Sequence, residues 1–485
     1  MVFSSHLFIF YFLPLALLLY HLLPLRGKNI YLTLVSYVFY GWANPWFVTL
    51  MIFQTVVDWA AGRTITQRWG LPKGTPAIPL DPNVKRSRLQ RTALVTVIIL
   101  NLSLLGFFKY FNFGVDSWNG LITAMGWESA RWDTLLRITL PLGISFYTFH
   151  SMSYAIDLYR GEAKVIDSIL DYMCYVAMFP QLVAGPIIRF KDVQDQFLNR
   201  TQSVEKFARG VAFVCLGLGK KILIANACGK VANITFDAGV VGMLDAWYGV
   251  VAYAFQIYFD FSAYSDMAIG FGLMLGWVFA KNFDSPYISQ SITEFWRRWH
   301  ISLSTLLRDF LYIPLGGNRL GEIRTYINLA IVMLLGGLWH GASWNFVIWG
   351  GIHGVWLGVE RIIGKRPFYA HLPHAFRVLL TFIIVLMSWV FFRAKDLPSS
   401  WNYLKSMFGC GMVQPGMDLV SGLIYQPYFL ASVALAGVVV WTCPQTWDFT
   451  RKLTWPKAVY CALIFILAIA VMETQAFNPF IYFIF

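Results

Sequence analysis

Long apolar runs alternate with short polar breaks from one end of the chain to the other. The first runs cover residues 7–25, about 30–43 and about 46–60, and Trp42-Ala43-Asn44-Pro45 reads as a tight turn between the last two. Residues 61–91 then change character: seven Lys or Arg (Arg63, Arg68, Lys73, Lys85, Arg86, Arg88, Arg91) stand against Asp81, among prolines at 72, 76, 79 and 82. A basic, irregular segment between apolar runs marks a cytoplasmic loop. A run at 92–111 leads to a more acidic loop at 112–134, and another run covers about 137–158. Residues 170–184 are apolar but short, which suits a re-entrant or interfacial segment better than a span. Further runs fall at about 208–230, 246–278, 326–340, 376–392, 425–442 and 457–473, and Ser343 is expected to cap a helix reaching about 362.

A helix needs roughly 20 apolar residues to cross a bilayer, so this pattern predicts an all-α polytopic membrane protein. About 11–12 spans are expected, with interfacial or re-entrant helices beside them and a single membrane domain over residues 1–485. The first run has no Lys or Arg before it, so it is expected to be retained as a span, and the cytoplasmic loop at 61–91 places the N-terminus outside. Residues 279–325 hold six Lys or Arg against four acids, and Arg361, Lys365 and Arg366 follow the 343–362 helix. Both segments are placed on the cytoplasmic side. Within 279–325, Ser291-Ile292-Thr293-Glu294 has the form of a capping box. It predicts one amphipathic helix over Phe295–Leu311 with Trp296, Trp299, His300, Leu303 and Leu307 on a shared face.

Composition agrees with this reading: 58% of the 485 residues are hydrophobic and only 13% charged. The net charge of +13 then means basic loops beside anionic lipid, not nucleic-acid binding. The six cysteines contain no CxxC pair and are expected to be free thiols. HExxH, GxSxG and P-loop patterns are absent, and no metal site is expected.

The polar residues inside apolar runs carry the chemistry. His340 lies in Leu335-Gly336-Gly337-Leu338-Trp339-His340-Gly341-Ala342-Ser343-Trp344, where small residues let a backbone or a substrate come close. Imidazole takes and gives protons near pH 7, and polar groups at membrane depth are functional candidates. If His300 packs near His340, the two form an intramembrane pair suited to acyl transfer or to proton-coupled transport. Asp260 and Asp266 are expected to pair between helices with Arg or Tyr, or else to line a substrate path. His150 and His353 are expected to be structural.

Thr293-Glu294-Phe295-Trp296-Arg297-Arg298-Trp299-His300-Ile301-Ser302-Leu303-Ser304, followed by Leu338-Trp339-His340-Gly341, resembles the signature of the membrane-bound O-acyltransferase (MBOAT) family. Pro141–Phe149, Phe179–Ile187 and Tyr258–Asp266 extend the resemblance along the chain, most closely to the AlgI-type branch that acetylates bacterial polysaccharides such as alginate. The resemblance implies a helical fold around a central tunnel and transfer from a cytoplasmic donor, acetyl-CoA, with no bound cofactor. His340 matches the family's essential histidine and His300 its second polar position. His340 is expected to act as base on the acceptor hydroxyl or to carry the acyl group, and His300 to polarise the thioester or steady charge. Asp260, Asp266, Arg297, Arg298, Trp339 and Asn318 are the candidates for a substrate path, the arginines attracting the anionic donor. The implied partners are the lipid bilayer of the bacterial inner membrane, an SGNH-type periplasmic acetyltransferase and an exopolysaccharide. D-alanyl transfer to teichoic acid and a non-enzymatic transporter are the alternative readings.

Overall fold

The computed structural model describes residues 1–72, 75–197, 199–364, 366–411, 417–475, 478 and 480, without the side chains of Arg26, Met417 and Asp418. Lys73 and Lys365 lie outside the described residues. The chain is 72% helical, with no strand among the described residues. It divides into two compact units, residues 1–208 with 271–279, and residues 209–270 with 280–485.

In the first unit, α1 (Leu7–Leu22) and α2 (Leu25–Gly41) meet at Pro24, and α3 (Trp46–Ile65) follows the expected turn. The basic loop is shorter than expected, because α3 continues to Ile65 and α4 (Arg88–Ala124) opens at Arg88. Ser87 and Gln90 form a reciprocal capping box there: Gln90 N donates to Ser87 Oγ, and Ser87 N to Gln90 Oε1. Within the described part of the loop, the Arg68 guanidinium sits 2.6 Å from Asp167 and donates to the Thr75 carbonyl.

At 37 residues, α4 absorbs much of the expected acidic loop. No proline interrupts it, and Asp116 is accommodated at the surface by Arg137 at 2.6 Å. The next helix, α5 (Ile144–Arg160), starts later than expected, after Pro141 and a left-handed Gly143. Residues 170–184 form α6 (Ile169–Ala177) and the short turn Phe179–Leu182, both heavily buried. Facing polar side chains join α3, α4 and α5. Asn101 donates to Asp58 at 2.8 Å, and Gln54 donates to both Asn101 and Thr148.

The second unit contains α7 (Val204–Asp237) from residue 209 and α8 (Met243–Met274) to residue 270. It continues with α9 (Ile292–Arg298), α10 (Ile301–Leu307), α11 (Glu322–His340), α12 (Trp344–Ile362) and α13 (His374–Arg393). It closes with α14 (Leu397–Met407), α15 (Pro427–Thr442) and α16 (Trp455–Thr474). The helix expected over Phe295–Leu311 is two helices, broken at Trp299 and His300.

Among the described residues, five helices (α4, α7, α11, α13 and α16) are long and apolar enough to cross a membrane, and α1 and α15 are shorter apolar helices. Only 17% of the most apolar windows of α4 and α16 is buried, so their apolar surface faces outward as lipid contact requires. The protein is a multi-pass membrane protein. Other expected spans carry buried polar groups, such as Asp58 in α3, Asp157 in α5 and Asp260 in α8, which reduce their apolarity.

A π-helical segment, Lys220–Ala225, interrupts α7 and presents two consecutive lysines to the carboxylates of α8. Lys221 meets Asp260 at 2.7 Å and Lys220 meets Asp266 at 2.8 Å, the latter also accepting from Thr446. The sequence pattern pointed to Arg or Tyr as partners; the structure supplies lysine. The Lys221–Asp260 pair is almost wholly sealed from solvent. Removing one partner of such a pair strands a charge, at about 3–5 kcal/mol, whereas replacing both with apolar groups is often neutral. Lys221→Met is therefore expected to lower the melting temperature in detergent markedly, and Lys221→Met with Asp260→Leu to recover most of the loss. A single variant as stable as the wild-type protein would contradict this.

Candidate active site

His340 is the last residue of α11. The chain leaves the helix through extended Gly341, and α12 starts at once, with Ser343 Oγ accepting from Asn345 N at 3.2 Å. The two helices approach backbone to backbone. A Cβ added to Gly350 of α12 would fall 3.3 Å from the Gly337 Cα of α11 and strike the Met333 carbonyl. A Cβ on Gly337 would likewise strike the Phe346 carbonyl. Small residues at a membrane helix contact permit this approach. It places Trp349 of α12 against His340, ring centroids 5.1 Å apart, while Phe392 of α13 lies at 5.3 Å and Trp339 at 5.0 Å.

His300 comes from the break between α9 and α10. Its backbone is left-handed, φ 44 and ψ 56, which is uncommon outside glycine. The preceding loop stitches the break in place. Asp284 N donates to the Arg298 carbonyl and Ile301 N to the Asn282 carbonyl, both at 2.9 Å. The Asn282 side-chain oxygen accepts from Ser302 N at 3.2 Å and from Ser302 Oγ at 2.9 Å. The result is a fully buried imidazole whose centroid lies 6.4 Å from that of His340, 6.0 Å from Trp339 and 4.7 Å from Phe261. The two histidines therefore form a pair. His300 lies outside the candidate spans, and burial pushes its imidazole down to about 3. It is thus neutral at working pH.

The face of α12 that carries Trp349 also positions α9. The Glu360 carboxylate accepts from Ile292 N at 2.7 Å and Thr293 N at 2.9 Å, placing a negative charge on the α9 N-terminus. Ser291 Oγ caps Glu294 N at 3.0 Å, but Glu294 accepts from Gln290 N and not from Ser291 N, so the expected capping box is only half formed. His353 accepts from the Trp296 indole at 3.2 Å and meets Ser388 Oγ at 3.1 Å, a structural role as expected. His150 accepts from Ile188 N at 3.2 Å.

A cavity of about 560 Å³ opens on one side of His340, lined in part by Arg297, Ser304, Arg308, Met333 and Gly336. Of the substrate-path candidates, Arg297 lines this cavity and Trp339 packs beside both histidines. Arg298 is engaged by Glu294 at 2.9 Å and by Asp284. Asp260 and Asp266 are held by the lysines of α7 and do not line the cavity. Asn318 is exposed and does not line it either. Asn282, Trp349, Glu360 and Phe392 belong to the site but carry no local sequence signal.

A paired-histidine site on a helical membrane scaffold, with one ring open to a cavity, is compatible with a membrane acyltransferase. The model of the membrane-bound O-acyltransferase family matches residues 160–395, a segment that contains both histidines. The chain is 42% identical over the whole length of both proteins to the probable alginate O-acetylase AlgI of Pseudomonas putida. It is 47% identical to that of Pseudomonas aeruginosa, over 85% of this chain and 76% of the relative. It is also 37% identical to the peptidoglycan O-acetyltransferase of Helicobacter pylori, over 84% of this chain and 80% of the relative. The chain belongs to the membrane-bound O-acyltransferase family and is an O-acyltransferase.

The close approach of α11 and α12 sets where His340 points. Gly350→Ala drives a methyl group into the Met333 carbonyl, and overpacking of this kind costs typically about 1–3 kcal/mol. Thermal unfolding in detergent is expected to show a lowered melting temperature, and acyl transfer per folded molecule is expected to fall. Unchanged values of both would show that the helices separate freely at this contact.

Proposed function

We propose that this protein acetylates an exopolysaccharide such as alginate or cellulose from the bacterial inner membrane, drawing acetyl groups from cytoplasmic acetyl-CoA. The observation that carries this reading is His340 at the wall of a cavity that Arg297 and Arg308 also line. Arg297 suits an anionic donor such as coenzyme A, whereas the Arg308 guanidinium is held by Asp309 at 2.7 Å. Arg297 has no ion-pair partner among the described residues, so its charge is available to a ligand. The likeness to alginate and peptidoglycan O-acetylating relatives supports a polysaccharide as the final acceptor.

In this mechanism His340 removes the proton from the acceptor hydroxyl. The oxygen attacks the thioester carbonyl carbon, the carbon–sulfur bond breaks, and the thiolate leaves with the proton returned to it. General base catalysis of this kind contributes roughly 10²–10⁴-fold. His300, in the same ring cluster, is the second titratable group of the site. The immediate acceptor hydroxyl belongs either to the polymer or to a serine of an SGNH-type periplasmic partner, which then passes the acetyl group on. The Lys- and Arg-rich composition of the loop after α3 supports a cytoplasmic position for it and, with it, an N-terminus outside.

The test is acetylation of the polymer in the native host with His340→Ala or His300→Gln protein at wild-type levels. Loss of acetyl groups in both variants is the expected result, with purified protein also losing transfer from labelled acetyl-CoA. Full acetylation by His340→Ala would overturn the catalytic assignment. Transfer of a D-alanyl group in place of acetyl would overturn the choice of donor.

A further inference from the structure

The hydrogen bonds around His300 determine which of its ring nitrogens carries the proton. Ser302 N can only donate, so the Asn282 atom 3.2 Å from it is the carbonyl oxygen. That same oxygen lies 3.2 Å from His300 Nδ1, and two lone pairs do not face each other at that distance. The ring nitrogen must therefore be the donor. The Ser302 hydroxyl gives the same answer: its hydrogen goes to Asn282 at 2.9 Å, leaving a lone pair 3.4 Å from Nδ1. Nε2 is then the bare nitrogen, and it has no hydrogen-bond partner among the described residues.

We propose that Asn282 is a positioning residue for acyl transfer: it locks His300 as the Nδ1–H tautomer, so that Nε2 acts only as a proton acceptor. This inference rests on the reading of His300 and His340 as the transfer pair and specifies the role of the second ring. A neutral imidazole held this way has no N–H at Nε2 to polarise a thioester carbonyl. It can accept a hydrogen bond or a proton there, which leaves His300 as base or relay beside His340. The partner that a histidine nitrogen finds decides the tautomer, and so the chemistry, of the other nitrogen. Asn282 is itself buried, and its side-chain oxygen accepts from both Ser302 N and Ser302 Oγ, so the amide has little freedom to turn away.

The groups packed around His300 are Phe261 from α8, Asn282 and Phe283 from the loop before α9, Ser302 from α10, and Trp339 and His340 from α11. His340 is the titratable one among them. Asn282→Asp places a carboxylate at the Nδ1–H. That favours the imidazolium and moves the acid limb of the pH–rate profile upward. Asn282→Ala removes the acceptor and frees the ring to take the other tautomer.

The experiment is nitrogen NMR of the full-length protein in lipid nanodiscs with ¹⁵N-labelled histidine, the His300 signals identified by their loss in His300→Gln. Transfer from acetyl-CoA is measured on the same samples. In the wild-type protein, Nδ1 is expected to appear protonated and Nε2 bare. In Asn282→Ala that pattern is lost and kcat falls roughly 10²-fold with KM for acetyl-CoA near wild type. Asn282→Asp keeps Nδ1 protonated, recovers part of the rate, and shows the raised acid limb; it serves alone if the alanine variant does not fold. An unchanged nitrogen pattern in Asn282→Ala, or a wild-type acid limb in Asn282→Asp, overturns the inference. Full transfer by His300→Gln would instead overturn the underlying reading of the histidine pair.

Discussion

The site depends on one interruption, the left-handed turn at His300 that stops α9 and starts α10 in a new direction. Holding a residue other than glycine in that region costs of order 1–3 kcal/mol. The first turn of α10 also starts with N–H groups that no helical carbonyl can meet. Asn282 addresses both problems, because its backbone and side-chain oxygens accept from Ile301 N and Ser302 N. Each bond returns about 0.5–1.5 kcal/mol, enough together to offset the strain. Were the helix continuous, His300 would be bound into its ladder, and Asn282 would have no free N–H groups to grip.

The second histidine reaches the same place by an independent route, and α12 is the element that makes the two agree. Trp349, His353 and Glu360 are spaced by four and seven residues, so they share one helical face over roughly 16 Å. Trp349 packs on His340, His353 holds Trp296, and Glu360 holds the N-terminus of α9. The adjoining side of α12 is pressed against α11 through Gly350 and Gly337. One rigid helix thus sets both the α11 end that carries His340 and the α9 end that leads to His300. A separation of 6.4 Å between ring centroids follows from contacts along its whole length, not from any direct link between the histidines.

Much of this was legible in the sequence, and what was hidden has a physical pattern. Helical spans, the Ser343 cap and the choice of His340 and His300 as candidates all rest on local signals or on motif resemblance, and the structure brings the two ring centroids within 6.4 Å of each other. The spacing of Trp296, Trp299, His300, Leu303 and Leu307 misled, because periodicity describes side chains and carries no information about a backbone residue that turns left-handed between two apolar neighbours. Asn282 lies eighteen residues before His300, in a loop with no repeat pattern, and its role exists only once the loop folds back. Glu360 looked like one more charge at the end of a helix, yet it is buried as the cap of a segment some seventy residues earlier. The 37-residue α4 was obscured for the opposite reason: its polar half pairs with a loop at the surface, and polarity alone reads as the end of a span.

The choice of an amide as the partner of His300 has a consequence for catalysis inside a membrane protein. A carboxylate at Nδ1 would orient the ring equally well, as in serine hydrolase triads, where it also stabilises the imidazolium that forms during the reaction. It would add a buried negative charge here, however, and buried charges at such depth are expensive unless paired. Asp260 and Asp266 of α8 show the paired solution, each matched by a lysine. His300 shows the other solution: a neutral acceptor orients the ring, burial keeps it unprotonated, and the lone pair on Nε2 stays available. A ring so held is a weaker proton sink than one backed by a carboxylate, but it needs no compensating cation. The aromatic walls of Trp339 and Phe261 can then close around it without leaving an unmatched charge.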